Sequence, residues 1–465
     1  MMSSILLKKG LNGMKMKSIS ASLMGVVVTA GLVTGCGTST SKQEASPAVS
    51  SAKPAETASA KELTGELEIQ YFVGGYGDAW WKQSIDEFQK LNPKLKITQT
   101  AGPTINEQMK PRWIQGNPPD LMFINGAGSN ARQMFLDNQL MDLTDWLKDA
   151  KNVDGEKITD ILFSKPEEYQ PGKAYTLPLV FGSYGTFYDK AELRKNGWNE
   201  PKDWASFIDT MQKIKDSGKM SPYIHTGVYP QYIIGGLLNS AIVAANGSDP
   251  SIINKINSLE AGVFKSQPVM KALDKLVELN SKGFIEGSSA ALNHTDSQMQ
   301  FLQHKAAFIP NGLWLENEMK KDIPAGFEFG FIPSVVQDIG GKAIIIPSTA
   351  TMGIAKKAKN PDAAKAYLQY VFTKKQAVAW AELTGSVLNV KADLSKSDKV
   401  SSLVKQASTY FSSSDVVIAP VPVLAEELFK IEKDATLALV TGKITKDEWA
   451  TRLEDGAAKQ REKSK

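Results

Sequence analysis

Between Gly65 and Gly126 the apolar residues alternate between two periods, and the order of those periods restricts the fold. "GELEIQYFV" opens the run with Leu67, Ile69, Tyr71 and Val73 on one face, the period of a half-buried strand. "AWWKQSIDEFQKLNP" follows with Trp81, Ile85, Phe88 and Leu91 at helical spacing and Asn92-Pro93 as its stop. "KLKITQT" reads as a second strand, "INEQMKPRWIQG" as a helix ended by Gly116, and "LMFIN" as a short buried strand. Strand, helix, strand, helix, strand is the order that builds a parallel sheet covered by helices, so the chain opens as an α/β protein. This first unit is expected from about Leu63 to Pro178.

Beyond it, "AYTLPLV" and "YGTFYD" read as extended runs, and helical patterns then dominate: "PKDWASFIDTMQKIKDSG", "YIIGGLLNSAIVAAN", "SQPVMKALDKLVELNSKG" and "DSQMQFLQHKAAFIPNG". "EFGFIPSV" and "KAIIIPSTATMGIAK" bring further strands. "NPDAAKAYLQYVFTKKQAVAWAELTG" is expected as one helix, started by Asn360 or Pro361 and followed by Gly385. Two more helices close the chain, the second opened by Thr445 with Glu448 three residues on, a capping box. Such a length exceeds what one hydrophobic core usually serves, so two lobes are expected.

The chain has a single cysteine, Cys36, so no internal disulfide can staple it. Lys8, Lys9, Lys15 and Lys17 precede the uncharged run "SISASLMGVVVTAGLVTG", the layout of a secretory signal peptide with Cys36 where the cut should fall. Val33, Thr34, Gly35 and Cys36 resemble the lipobox of bacterial lipoproteins, which implies cleavage before Cys36, acylation of its thiol and anchorage on the outer side of the cell membrane. Residues 1–35 are therefore expected as a lipoprotein signal peptide and 36–62 as a tether, since "GTSTSKQEASPAVSSAKPAETASAKELTG" has almost nothing large and apolar to bury. The formal charge of +4 belongs to the leader: without its four lysines, 50 basic residues face 50 acidic ones. A neutral body with no basic patch gives no reason to expect nucleic acid.

Little catalytic chemistry is offered. His225, His294 and His304 stand outside metal-binding spacings and read as surface or loop residues, so no metal and no cofactor is expected. "GGYG" after the first strand lacks the dinucleotide fingerprint, and no nucleophile elbow or phosphate loop occurs. A carboxylate pair for glycoside hydrolysis stays open, because such pairing is a tertiary property.

Aromatic residues do stand in glycine-rich, irregular stretches where core packing explains them poorly: Tyr76 in "VGGYGDAWW", Tyr184 in "VFGSYGTF", Tyr229 in "HTGVYPQY" and Trp314 in "IPNGLWLENE". Flat rings beside polar groups suit a sugar, with its C–H faces and its rim of hydroxyls. Trp80, Trp81, Trp113, Trp146, Trp204, Trp380 and Trp449 fall on helical patterns and read as core.

In order along the chain, "PPDLMFIN", "GKAYTLPLVFGSYGTFYDK", "PKDWASFID", "KAAFIPNGLWLEN", "TATMGIAKKAKNPDAAKAYLQYVFTKKQAVAW" and "ELTGSVLNV" resemble the extracellular solute-binding proteins of family 1, the sugar receptors of ABC importers. The resemblance implies a two-lobed periplasmic-binding-protein fold of type II, each lobe a mixed sheet flanked by helices, with the ligand in the cleft between. It implies lobe 1 from 63–178 and 332–374, lobe 2 from 179–331 and 375–465, and hinges near Pro178 and Pro333. Trp314 matches the ring that stacks on the sugar; Tyr76 and Asp78 match the loop after the first strand, Asn125 and Gly126 the loop after the third, and Glu382 and Ser386 a segment that reaches the ligand. Asp189 replaces the family's asparagine, "TGSVLNV" lacks its proline, and Lys305 stands for a glycine. "GGLLNSAIVAANGSDP" leans towards members that bind N-acetylated or oligomeric sugars. The implied partners are a carbohydrate and a membrane permease, and the implied state is a monomer that is not an enzyme. The alternatives are a lipid-anchored glycoside hydrolase, an adhesin, and a sensor's sugar-loaded partner.

Overall fold

The computed structural model describes residues 62–463. The expected signal peptide, the expected lipid site at Cys36 and the expected tether up to residue 61 lie outside the described residues. None of the described helices is long and apolar enough to cross a membrane.

The strands are β1 (Gly65–Phe72), β2 (Leu95–Gly102), β3 (Leu121–Ile124), β4 (Leu177–Ser183), β5 (Gly185–Asp189), β6 (Ser221–Tyr223), β7 (Ala306–Asn311), β8 (Phe329–Ile332), β9 (Ala343–Ile345), β10 (Pro347–Ile354) and β11 (Val416–Ile418). They form a five-stranded sheet in the order β2-β1-β3-β10-β4, a four-stranded sheet in the order β6-β7-β5-β8, and the pair β11-β9. Both larger sheets are mixed. β1 runs parallel to β2 and β3, whereas β10 is antiparallel to β3 and β4. In the second sheet β6 runs parallel to β7, and β5 is antiparallel to β7 and β8. With helices on each sheet the architecture is α/β and bilobed, as the sequence implied.

The inward residues of β1, Leu67, Ile69 and Tyr71, pack with Trp80, Trp81, Ile85 and Phe88 of the helix Ala79–Leu91 and with Tyr367 and Trp380. The second core gathers Tyr188, Phe207, Met211, Tyr223 and Phe308. A third cluster runs beneath the junction and takes Phe181 from β4, Phe187 from β5, Phe331 from β8 and Phe411.

The chain passes between the sheets at three places. β4 ends at Ser183 and β5 begins at Gly185, so Tyr184 alone separates strands of different sheets. β9 ends at Ile345 and β10 begins at Pro347, which pairs with Ser183, so these two passages lie side by side. The third runs past β4 as Val387–Asn389: Phe181 N–H donates to Val387 O (2.9 Å) and Asn389 N–H to Leu179 O (2.7 Å). Asn389 ties this segment down by donating to Pro178 O (3.0 Å) and Ser164 O (2.8 Å).

The helix expected over 360–385 is two helices, Pro361–Val371 and Lys374–Thr384, because the Thr373 side chain leaves the helix path to cap Gln376 N–H. Trp380 on the second of them packs in the core of the first sheet, against Trp80. His225 lies in the loop after β6, as the sequence reading allowed, but it is 1% exposed with neither ring nitrogen hydrogen-bonded; burial lowers its pKa to about 4 and keeps it neutral. The Thr445–Glu448 capping box forms as expected, with Thr445 N–H to Glu448 Oε2 at 2.8 Å and Glu448 N–H to Thr445 Oγ1 at 3.2 Å.

Candidate functional site

The loop after β1 and the turn after β7 meet at the junction of the two sheets. "VGGYG" leaves β1 and turns at Gly77, whose φ of +66° suits glycine, so that Tyr76 lies back over the end of the sheet. Past β7, Gly312 lets the Trp314 ring fold onto the strand's own backbone, where any Cβ would overlap the indole. The Tyr76 and Trp314 rings meet edge to face at 6.0 Å, and Asn317 Nδ2 donates to Gly75 O (2.9 Å). The halves therefore touch directly here.

Tyr184, the residue between β4 and β5, presents its ring to Trp314 at 5.7 Å, nearly perpendicular, and to Tyr232 at 5.6 Å. Tyr232 also reaches Trp314 at 5.7 Å. Its helix continues as a π-helical turn over Ile234–Leu238, with the backbone of Gly235 flat against Tyr184. Such π turns recur at functional sites because they displace a stretch of helix. Tyr229, 39% exposed, stacks on Tyr232 at 6.3 Å and forms the rim. Four aromatic rings from separate elements thus make one nest, each contact contributing about 0.5–1.5 kcal/mol beyond area burial.

Polar groups line the nest. Burial raises the pKa of the Tyr76 phenol, with Tyr184 adding to the rise and the neighbouring Ser386 hydroxyl opposing it. Ser386 is fully buried and makes no well-formed hydrogen bond. Burial raises Tyr184 as well, against a hydrogen bond with Ser348. All these phenols are neutral donors at physiological pH. On the second-sheet side, the helix His294–Leu302 brings His294 within 5.4 Å of Tyr232 and 6.0 Å of Tyr229. His294 Nε2 lies 2.6 Å from Glu318 Oε2, which also accepts from Gln298 Nε2 at 2.9 Å. Burial would raise the Glu318 carboxyl, but His294 and Gln298 outweigh it and hold it below the usual carboxylate range.

Of the residues singled out in the sequence, Tyr76, Tyr184, Trp314 and Ser386 come together and Tyr229 sits at their edge. Asp78 instead pairs with Lys82 at 2.6 Å on the outside of its helix. Asn125 and Gly126 close their own turn, Gly126 N–H donating to Asn125 Oδ1 (2.9 Å), while Asn106 Nδ2 donates to Asn125 O (2.7 Å). Glu382 accepts from the Ser397 hydroxyl at 2.6 Å. Tyr232, Gln298 and Glu318 did not stand out in the sequence, and His294 reads there only as a surface or loop residue. The one signal that could have found Glu318 is its place one helical turn after Trp314.

A surface groove lies elsewhere. It has a volume of 620 Å³, is lined by Thr64, Glu66, Glu68, Asp120, Lys359 and Asn360, and sits at the start of β1, the end of the strand away from Tyr76. In open α/β sheets ligands enter at the carboxyl ends of parallel strands, which is where the nest lies. Among the described residues no group of three or more His, Cys, Asp or Glu side chains could hold a metal ion.

Residues 74–378 match the bacterial extracellular solute-binding proteins. The chain is 30% identical over 334 residues to the diacetylchitobiose binding protein NgcE of Streptomyces coelicolor, covering 68% of each chain. It is 24% identical over 322 residues to a multiple sugar-binding protein of Streptococcus mutans, covering 68% of this chain and 73% of that protein. Among solved structures, a chitin oligosaccharide binding protein superposes with a TM-score of 0.68 at 18% identity, over 85% of this chain and 98% of the other. The sugar-binding protein MalE of Xanthomonas citri gives 0.67 at 17% identity, over 85% and 98%.

Proposed function

We propose, from the premise that the chain belongs to the family of bacterial extracellular solute-binding proteins, that it is the extracytoplasmic carbohydrate receptor of an ABC-type sugar importer. One observation carries the reading: the junction of the two sheets is lined by Tyr76, Tyr184, Tyr232 and Trp314, four rings drawn from both halves. Rings that pack edge to face on one another can exchange those contacts for the C–H faces of a sugar, while the Tyr hydroxyls, Ser386 and Glu318 offer hydrogen bonds to its rim. The names of two relatives, a diacetylchitobiose binding protein and a multiple sugar-binding protein, favour carbohydrate over other solutes. Within that class, an N-acetylated chitin-type disaccharide is the ligand we favour.

The mechanism is non-covalent. The sugar binds one half and bridges to the other, and contacts made only when both halves touch it favour closure. The passages at Tyr184, at Ile346 and along Val387–Asn389 are the hinges. The late strand β10, antiparallel between β3 and β4, supports the type II form of the fold. We read 63–183 and 347–384 as the first lobe and 185–345 and 402–463 as the second, a division that the strand pairing supports. The receptor is read as a monomer, tethered through lipid on Cys36 near a permease, where effective concentration substitutes for tight docking. Family membership sets aside the hydrolase alternative, because solute-binding proteins return their ligand unchanged.

A thermal-shift series with N,N′-diacetylchitobiose, cellobiose and maltose tests the reading. A ligand at a hundredfold its Kd stabilises the folded state by about 2.7 kcal/mol, so one of these sugars is expected to raise the melting temperature. No shift with any of them at millimolar concentration, or cleavage of the sugar during the measurement, would overturn it.

A further inference from the structure

Glu318 is not accounted for by packing, and its surroundings assign it a task that rests on the carbohydrate reading above. Its side chain is 25% exposed and that of His294 19%, so the pair is largely enclosed. Its charge raises the pKa of both Tyr76 and Tyr232, which puts the carboxylate beside the ring nest. Both hydrogen bonds that hold it, from His294 and Gln298, fall on Oε2. Gln298 is fully buried, yet its Oε1 has no partner, and His294 Nδ1 has none either. An unsatisfied buried acceptor costs about 1–3 kcal/mol, and natural structures rarely keep one without a reason. Here acceptors accumulate next to a wall of rings: Glu318 Oε1, Gln298 Oε1 and, with Nε2–H directed to Glu318, Nδ1 of a neutral His294.

We propose that Glu318 and Gln298 form an acceptor pair that reads donor groups on the edge of the bound sugar, hydroxyls or an acetamido N–H, with His294 as a positioning residue that fixes the Glu318 rotamer. The rings supply area but little discrimination, since every pyranose has an apolar face. A charged acceptor held at one atom and open at the other selects a ligand that offers a donor at that place, and it rejects one that cannot, because the site's buried polar groups are then left unpaired. This makes Glu318 and Gln298 the specificity-determining side of the nest.

Calorimetric titration of the mature receptor with N,N′-diacetylchitobiose, cellobiose and maltose tests the assignment, with melting temperature as a check on folding. For whichever sugar binds the wild type most tightly, Glu318→Gln and Gln298→Met are each expected to weaken binding about tenfold or more. His294→Ala should do the same, and His294→Gln, which restores a donor to Glu318, should recover the affinity to within about threefold. Wild-type affinity in both Glu318→Gln and Gln298→Met, while Trp314→Ala loses binding, would overturn the acceptor pair and leave the carbohydrate reading standing. No binding of any of the sugars by the wild type would remove both.

Discussion

Tyr76 stands between two tryptophans, and the halves of the molecule hold them in opposite ways. Trp380, 5.4 Å away, is fully buried; its helix packs on Ala79–Leu91, and Trp80 meets its ring at 4.9 Å. Trp314, 6.0 Å away on the other side, is half-buried on a short turn and is held by three tyrosines and a glycine backbone. One ring is backed by core on every side. The other is backed by glycine backbone on one side and met by tyrosine rings at its edges. On the proposed reading the same residue type is scaffold on the first sheet and ligand surface on the second, and what lies behind a ring decides which.

The largest expected effect separates these two roles. Trp380→Ala should destabilise the folded state by about 3–5 kcal/mol, the range for removing a buried ring that its neighbours cannot refill. Trp314→Ala should cost less stability than Trp380→Ala but weaken sugar binding at least about thirtyfold, roughly 2 kcal/mol. Paired chemical denaturation and calorimetric titration measure both quantities. If Trp314→Ala proved the more destabilising, the contrast between scaffold and surface would be broken.

Two acids of the second half sharpen the contrast between paired and unpaired burial. Glu318 is held below the usual range by His294 and Gln298, whereas burial alone pushes Glu432, 7% exposed on the helix Glu426–Val440, up to about 7. A carboxyl whose pKa is higher folded than unfolded ionises first in the unfolded chain. Glu432 therefore costs no stability below its ordinary value of 4.5, a growing amount as the pH rises towards 7, and a constant amount above that, about 3 kcal/mol. Glu432→Gln should raise stability at pH 8 by a sizeable part of that figure and leave it unchanged at pH 4. A gain independent of pH would mean that packing, not charge, sets the cost. The sign is opposite for Glu318: its contribution is present above 4.5 and is lost as the pH falls through its lowered folded value.

The order of elements was legible because each strand and helix carries its own period. Leu67, Ile69 and Tyr71 lie inward as their alternation requires. Tyr76, Tyr184 and Trp314 were legible for a different reason: a large ring among glycines has no helix or strand face to explain it. His294, Gln298 and Glu318 were hidden because each lies on a polar helical stretch whose default is solvent, and only the packing of His294–Leu302 beside the turn after β7 brings them together. Asp78 and Glu382 show the converse situation. Both stand close in sequence to the site, but Lys82 and Ser397 supply nearer partners. The break at Thr373 was missed because helical periodicity continues across it, and only the side-chain cap marks it.

Gly235→Ala tests the second wall from behind. A methyl group there would overlap the Tyr184 ring, which must shift or drive the π-helical turn away. Overpacking of this kind costs about 1–3 kcal/mol. Because the first-sheet side keeps Tyr76 in its core, the loss is expected to appear in affinity as well as in melting temperature. A drop in melting temperature with unchanged affinity would detach Tyr184 from the reading surface.

The smallest expected effect belongs to Asp78. It sits two residues from Tyr76, yet its carboxylate is 39% exposed and committed to Lys82 four residues on, a surface pair worth about 0.3–0.5 kcal/mol. Asp78→Asn should therefore change the melting temperature by little and the affinity by less than about twofold, a difference that titration at two salt concentrations resolves, since screening weakens the pair without touching the rings. A tenfold loss of affinity from Asp78→Asn would mean that the helix turns its first residues inward when the ligand is bound. The first-sheet wall would then be as adaptable as the second, and the contrast between the two tryptophans would reflect only the ligand-free packing.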